Sequence, residues 1–129
     1  MPKPKSASAP RRSPCPVSCT LDLLGDRWTL LVVRDLLLGK TRFKDFLASP
    51  EAIPTNILSE RLNRLLQHSV AVQVSTEGSR HLSYELTDKG RALLPIVKEI
   101  KDWGLNWEKD TRAALTTHRA MRRGDIVDR

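Results

Sequence analysis

The sequence has few of the features that mark a secreted, membrane-spanning or disulfide-bonded protein. No run of about 18 apolar residues is present, which argues against a membrane-spanning helix. The first twelve residues, MPKPKSASAPRR, have no hydrophobic region behind their charges, so no signal peptide is expected. Cys15 and Cys19 are the only cysteines, too few for a disulfide framework. We therefore expect a cytosolic protein without a membrane partner.

Residues that catalysis or metal binding would need are also scarce. The three histidines, His68, His81 and His118, fall on different predicted elements without a matching cysteine or carboxylate spacing. The sequence has no glycine-rich phosphate loop. A metal site built from Cys15, Cys19 and a histidine would need a fold-back from elsewhere in the chain. We expect no enzyme, no metal and no cofactor.

The formal net charge of +7 is concentrated at the two ends of the chain. Residues 1–12 carry +4 and residues 112–129 carry +3, which leaves residues 13–111 neutral. A length of 129 residues predicts one domain, which we assign to residues 15–111 between basic tails at 1–14 and 112–129. Basic tails are often only solvated, although they can add sequence-independent attraction to phosphate.

Hydrophobic periodicity in residues 15–47 predicts three helices. The first helix has one apolar face and can end at Gly25. Asp26 suits an N-cap for the second helix, from Trp28 to Leu38. This second helix is apolar nearly all round, which implies burial against its own core and also against a second subunit. Residues 40–47 are predicted to form a third, short helix.

The stretch from Ala52 to Ser75, AIPTNILSERLNRLLQHSVAVQVS, is predicted to be a short helix followed at once by a strand. The rest of the domain is expected to be organised around this helix. Its apolar stripe consists of Leu58, Leu62, Leu65 and Leu66. The opposite face is polar, and its hydrogen-bonding side chains suit base edges, or only water. A tight turn at 49–52 joins this helix to the third one, which gives the outline of a helix-turn-helix.

Two alternating segments after this helix predict a hairpin. Residues 70–75 and 82–87 alternate apolar and polar side chains around a turn at 76–81, and a hairpin after a recognition helix is a wing. A last helix is predicted to start near Asp88 and run past Trp107, with Pro95 in or near its first turns. Its apolar stripe is longer than a domain of this size needs, which favours a homodimer contact over packing within one chain.

In this order of elements, the sequence resembles the HxlR family of bacterial winged helix-turn-helix regulators. The segments that carry the resemblance are CPVSCTLDLLGDRW at 15–28, LLLGKTRFKDF at 36–46, ILSERLNRL at 57–65, YELTDKG at 84–90 and Trp103-Gly104. The resemblance implies a mostly α, α+β fold with a two-stranded wing and terminal dimerisation helices. It also implies a homodimer whose two recognition helices enter successive major grooves of a near-palindromic operator in double-stranded DNA.

Three positions depart from the family pattern. The wing segment TEGSRH is short and lacks the usual prolines, which puts wing contacts beyond Arg80 in doubt. Ser69 stands where a glycine commonly ends the recognition helix, and Cys19 stands where a small residue is usual.

The predicted functional residues fall into three groups. Base reading is expected from the polar face of the recognition helix, at Thr55, Asn56, Ser59, Glu60 and Asn63. Phosphate or wing contacts are expected from Arg42, Arg61, Arg64, Arg80 and His81. The dimer interface is expected to include Leu21, Leu31, Ile96, Ile100, Trp103 and Trp107.

Two questions stay open at the level of sequence. A winged helix that binds protein or RNA is the alternative function, because a fold does not fix its ligand. A recognition face rich in Asn, Ser and Arg favours DNA grooves. The resemblance implies a thiol sensor at Cys15, at a helix N-terminus that would stabilise a thiolate, with an electrophile or another small molecule as inducer. The alternative is a small buried thiol, which is also the expectation for Cys19.

Overall fold

The structure, a computed structural model, describes residues 11–75, 78 and 81–113. Its elements in chain order are α1 (Pro16–Leu24), α2 (Thr29–Leu37), α3 (Phe43–Leu47), α4 (Thr55–Gln67), β1 (Ala71–Ser75), β2 (Leu82–Leu86), α5 (Asp88–Arg91) and α6 (Leu94–Trp107). Most of both predicted tails, and Arg80 in the wing, lie outside the described residues. No helix within the described part of the chain is long and apolar enough to cross a membrane.

The apolar stripe of α4 forms the centre of the core. Leu58, Leu62 and Leu65 are buried almost completely, and Leu66 is half-buried. They belong to one cluster with buried residues of α2, α3 and the segments that flank α4, namely Val32, Val33, Leu36, Phe46, Ile53, Val70 and Ala71. Full burial of one leucine side chain is worth about 1.5–3 kcal/mol, so this stripe sets which face of α4 turns inward.

The side chain of Asp26 caps the start of α2, although the N-cap position itself is Trp28 and not Asp26 as predicted. Its carboxylate accepts hydrogen bonds from the backbone N–H groups of Trp28 (2.9 Å) and Thr29 (3.1 Å). These N–H groups have no partner within the helix and need a cap. At the other end, Gly39 takes a φ of 99°, a left-handed conformation that glycine adopts without steric cost.

A buried polar network joins α2 to the turn before α4. The carboxylate of Asp35, only 3% exposed, accepts hydrogen bonds from the Ser49 hydroxyl (2.5 Å) and from the Arg34 guanidinium (2.9 Å). Lys40 donates to the Ser49 hydroxyl at 2.9 Å. Arg34 also donates two hydrogen bonds of 2.9 Å to Glu51, and this contact holds the pKa of Glu51 below its ordinary value. The network therefore ties the turn of the helix-turn-helix to α2.

The wing is an antiparallel hairpin that follows α4 directly. α4 ends at Gln67, and Ser69 takes a φ of 60°, so a serine adopts the left-handed conformation usual for glycine. In the hairpin, Ala71 lies opposite Leu86. The Tyr84 N–H donates to the carbonyl of Thr41 at 2.8 Å, which attaches β2 to the segment before α3.

The prediction of one helix from Asp88 to Trp107 is wrong, because the structure has two helices there. α5 is a single turn capped by the Thr87 side chain, and α6 begins at Leu94 with Pro95 in its first turn. In one continuous helix Pro95 would be internal, where its ring would clash with the carbonyl of Arg91. The helix is therefore interrupted before Pro95, between Arg91 and Leu94.

We predict that Ser49→Ala lowers the free energy of unfolding by about 1–3 kcal/mol, because it leaves a buried carboxylate oxygen of Asp35 without its hydroxyl donor. Urea denaturation followed by circular dichroism measures this change. The control is Ser59→Ala in the exposed face of α4, which should shift stability by less than about 0.5 kcal/mol. A Ser49→Ala midpoint equal to that of the wild type would contradict the role of the network.

Candidate nucleic-acid interface

The structure brings all the predicted base-reading residues onto one exposed face of α4. This face lies opposite the buried leucines and comprises Thr55, Asn56, Ser59, Glu60 and Asn63. Amide and hydroxyl side chains can both donate and accept hydrogen bonds, as the edges of bases in a major groove require. Pro54 precedes the helix with a φ of −65°, and its fixed geometry presets the first turn.

Arg61 and Arg64 lie on the flank of α4 and turn toward the connection between α1 and α2. Arg61 donates from Nε to Asp26 at 2.8 Å and also pairs with Glu60. Arg64 donates from Nη1 to Asp26 at 3.2 Å and to the carbonyl of Leu23 at 3.3 Å. Both guanidinium groups are thus held by protein acceptors, so a phosphate contact, which stays a prediction, would have to compete with Asp26.

The environment of Asp26 keeps this carboxylate charged. Burial disfavours the charge, but hydrogen bonds from the Thr29 hydroxyl, from Arg61 and from two backbone N–H groups outweigh it and hold the pKa of Asp26 far below its ordinary value. The sequence predicted only the capping role. The contacts with Arg61 and Arg64 join residues 35 and 38 positions apart, which no local pattern indicates.

Arg42 and His81 line one open groove between the start of α3 and β2. The groove has a volume of about 490 Å³, and its lining residues are Arg42, Phe43, Lys44, His81, Leu82 and Tyr84. Two of the predicted phosphate residues therefore lie near each other, and Lys44, which the sequence did not single out, lines the same groove. The position of Lys44 between half-buried Phe43 and buried Phe46 is the signal that could have placed it on the outer side of α3.

Exposed apolar side chains lie on α1 and α6. Among the predicted interface residues, the exposed ones are Leu21, Ile96, Ile100, Trp103 and Trp107, and Val17 and Leu105 join them. None of the 14 residues of α6 is fully buried, and Trp107 is 70% exposed. Leu31 differs from the other predicted residues, because it is half-buried beside a small cavity that Trp28 and Phe46 also line. Its place in an interface stays a prediction.

Cys15 is exposed at the N-cap of α1, whereas Cys19 is half-buried one turn further on. The Cys15 N–H donates to the Ser13 hydroxyl at 3.2 Å, and the Cys19 thiol donates to the Ser13 carbonyl at 3.3 Å. Cys15 is thus exposed in the single chain, and its role as a sensor stays a prediction. Across the described residues, no three His, Cys, Asp or Glu side chains form a group that could hold a metal ion.

The sequence of this chain matches a known protein family. The model of the HxlR-like helix-turn-helix family matches residues 23–112, well over half of the chain. The chain belongs to the HxlR-like helix-turn-helix family. The predicted family and the mostly helical winged fold are thereby confirmed, and the members to which this chain is similar are transcriptional regulators, not enzymes.

Two relatives of this chain come from Bacillus subtilis strain 168. The uncharacterized HTH-type transcriptional regulator YvaP is 41% identical over 88 residues, which cover 67% of this chain and 82% of YvaP. The HTH-type transcriptional regulator YodB is 35% identical over 91 residues, which cover 69% of this chain and 81% of YodB.

Three solved structures share the fold of this chain. PA1607 is 40% identical with a TM-score of 0.74, and the match covers 84% of this chain and 78% of PA1607. The redox regulator HypR in its oxidized form is 31% identical with a TM-score of 0.66, covering 71% of this chain and 96% of HypR. Reduced YodB is 28% identical with a TM-score of 0.64, covering 78% of this chain and all of that structure. This HxlR-type chain is thus a transcriptional regulator.

Proposed function

We propose that this HxlR-type regulator reads a specific duplex DNA sequence with the exposed face of α4, as a homodimer. The observation that carries the proposal is the segregation of α4, where buried leucines on one side leave five exposed polar side chains on the other. An α-helix fits the major groove, where each base pair presents its own pattern of donors and acceptors. Asn56 and Asn63 suit adenine, to which an amide can bind with two hydrogen bonds.

Phosphate contacts are assigned to the basic side chains around the groove beside α3. Arg42, Lys44 and His81 line that groove, next to the helix that precedes the reading helix. In helix-turn-helix proteins, contacts of this kind orient the protein on the duplex without reading its sequence. Arg80 is proposed to add a wing contact, and the basic tails to add nonspecific attraction.

A protein-binding or RNA-binding role for α4 is the competing function, and the character of its surface favours DNA. Of the described residues, the large exposed apolar side chains lie on α1, β1, β2 and α6 and not on α4. Protein interfaces usually bury aromatic or aliphatic anchors, which the exposed face of α4 does not carry.

The apolar side chains of α1 and α6 are assigned to the homodimer contact. On α6, Ile96, Ile100, Trp103 and Trp107 follow each other at three- or four-residue intervals and so share one face. A stripe of this kind in contact with water is typical of a surface that another molecule covers. A twofold dimer would place two α4 helices on half-sites one helical turn apart, roughly 34–36 Å.

Cys15 is proposed as the switch of this dimer. It precedes Val17 and Leu21 on α1, both of which are assigned to the interface. HypR is described as a redox regulator, and YodB has a quinone-bound structure, which supports thiol chemistry in this chain. An adduct on Cys15, or a Cys15–Cys15 bridge between subunits, would favour one spacing of the reading helices. A 100-fold change in affinity needs only about 2.7 kcal/mol between two states.

Replacement of Asn56 or Asn63 by alanine should change the sequence preference and cost roughly 1–3 kcal/mol per lost base contact. Fluorescence anisotropy with a duplex selected by the wild-type protein from a random library, and with a random duplex of equal length, measures this loss. Asn106→Ala, an exposed asparagine of α6, is the matched control. Equal wild-type affinity for both duplexes at every salt concentration would reject specific recognition.

Replacement of Ile100 by glutamate should convert the dimer into monomers and weaken binding to the two-half-site duplex, because a charge would have to be buried in the contact. Sedimentation equilibrium measures the mass, and Glu99→Ala on the same helix is the control. A wild-type protein that sediments near its monomer mass of 14.6 kDa at micromolar concentration, with DNA binding intact, would remove the dimer model.

Replacement of Cys15 by serine should abolish the response of DNA affinity to peroxide, hypochlorite or quinone, whereas Cys19→Ser should leave that response largely intact. The reason is that Cys15 is exposed and Cys19 is half-buried against Ser13. Anisotropy before and after treatment measures the response. If Cys15→Ser protein responds as the wild type does, Cys15 is structural and any inducer acts without a covalent bond.

A further inference from the structure

We propose that Asp26 is a positioning residue for base reading, which holds the exposed face of α4 at a fixed angle without itself lying on that face. This role rests on the proposed DNA recognition, and it assigns a part in that recognition to a residue that makes no base contact. It follows from the contacts that one carboxylate makes with two helices.

The two oxygens of Asp26 accept hydrogen bonds from α2 and α4 together. Oδ2 accepts from the N–H groups of Trp28 (2.9 Å) and Thr29 (3.1 Å) and from Nε of Arg61 (2.8 Å). Oδ1 accepts from the Thr29 hydroxyl (2.5 Å) and from Nη1 of Arg64 (3.2 Å). Because both oxygens contact both helices, the start of α2 and the flank of α4 cannot move independently.

The two arginines are placed where they fix the rotation of α4. Arg61 and Arg64 are one helical turn apart, between the buried leucines and the exposed polar face. A leucine stripe alone tolerates small rotations, because apolar contacts are not directional. A rotation of about 20° would move an atom lying about 5 Å from the helix axis by about 2 Å. Such a shift breaks a hydrogen bond between a side chain and a base edge.

Arg64 extends the link to α1. Its Nη1 also donates to the carbonyl of Leu23, in the last turn of α1, at 3.3 Å. α1 carries Val17 and Leu21 of the proposed dimer contact. The orientation of the reading face is therefore set relative to the dimer, which is the relation that half-site spacing requires.

The test compares Asp26→Asn with Asp22→Asn in the full chain. The amide of Asp26→Asn keeps an oxygen that can accept from the N–H groups of α2 but loses the charge that holds Arg61 and Arg64. Asp22→Asn is the matched control, since it removes one negative charge from exposed α1 and loses only a surface ion pair with Arg12. The probes are a duplex selected by the wild-type protein from a random library and a random duplex of equal length.

We expect Asp26→Asn to lower affinity for the selected duplex by roughly tenfold, with no loss for the random duplex, because its phosphate contacts remain. Far-ultraviolet circular dichroism and dimer mass should stay as in the wild type, and Asp22→Asn should keep the wild-type ratio of affinities. Arg64→Gln is a second variant that leaves the cap of α2 intact, and we expect the same loss of ratio. The double variant Asp26→Asn, Arg64→Gln should be no worse than Asp26→Asn alone.

An unchanged affinity ratio in folded Asp26→Asn or Arg64→Gln protein would overturn the positioning role, as would an equal loss for both duplexes. If Asp26→Asn fails to fold, Arg64→Gln decides the matter alone. A wild-type protein that binds the two duplexes equally overturns the proposed function and this role together. A wild type that discriminates, beside variants that discriminate equally, overturns only the role of Asp26.

Discussion

The fold depends on the burial of three leucines of α4, Leu58, Leu62 and Leu65. They are buried because the leucine face of α4 packs against α2 and α3. At about 1.5–3 kcal/mol per leucine, this burial outweighs any single polar contact on the helix. Once the leucines point inward, the helical periodicity of the sequence places Asn56 and Asn63 on the outward face of α4. Burial of the leucine stripe therefore determines both the core of the domain and which face of α4 is left exposed as the proposed reading surface.

Burial of the leucine stripe determines which face of α4 points inward, but hydrogen bonds fix the rotation of α4 about its own axis. The Asp35 network holds the turn before α4, and Asp26 holds the flank of α4 through Arg61 and Arg64. Charges that are buried, like Asp35, or half-buried, like Asp26, add little net stability because their desolvation is costly. Their directional geometry is what a helix needs when its side chains must meet base edges within a few tenths of an ångström.

Much of the fold follows from local patterns, and the sequence predicted those parts correctly. The leucine stripe, the alternating strands and the stop at Gly39 each depend on residues within one element or its ends. A prediction of one helix from Asp88 misses the break between α5 and α6, although Pro95, the eighth residue of such a helix, is the signal for it. The half-buried state of Leu31 could not be predicted, since α2 is apolar nearly all round and periodicity does not choose its face.

The contacts that matter most for the candidate site are the ones that local patterns cannot reach. Arg61 and Arg64 have the spacing of an exposed basic flank, and only the packed structure brings Asp26 to them. The contacts of Arg61 and Arg64 therefore hold the proposed reading face on α4 in a fixed orientation relative to the proposed dimer surface on α1. Two subunits related by a twofold axis would then present their reading helices at one fixed spacing.

The central claim is that paired α4 helices enter the major groove of duplex DNA, and methylation interference on a duplex selected by the protein tests it most directly. Methylation marks the N7 atom of guanine in the major groove. The account predicts two clusters of interfering guanines with centres about 10 base pairs apart, on one side of the duplex. Interference confined to a single cluster, or its absence from a selected duplex that contains guanine in both half-sites, would contradict it.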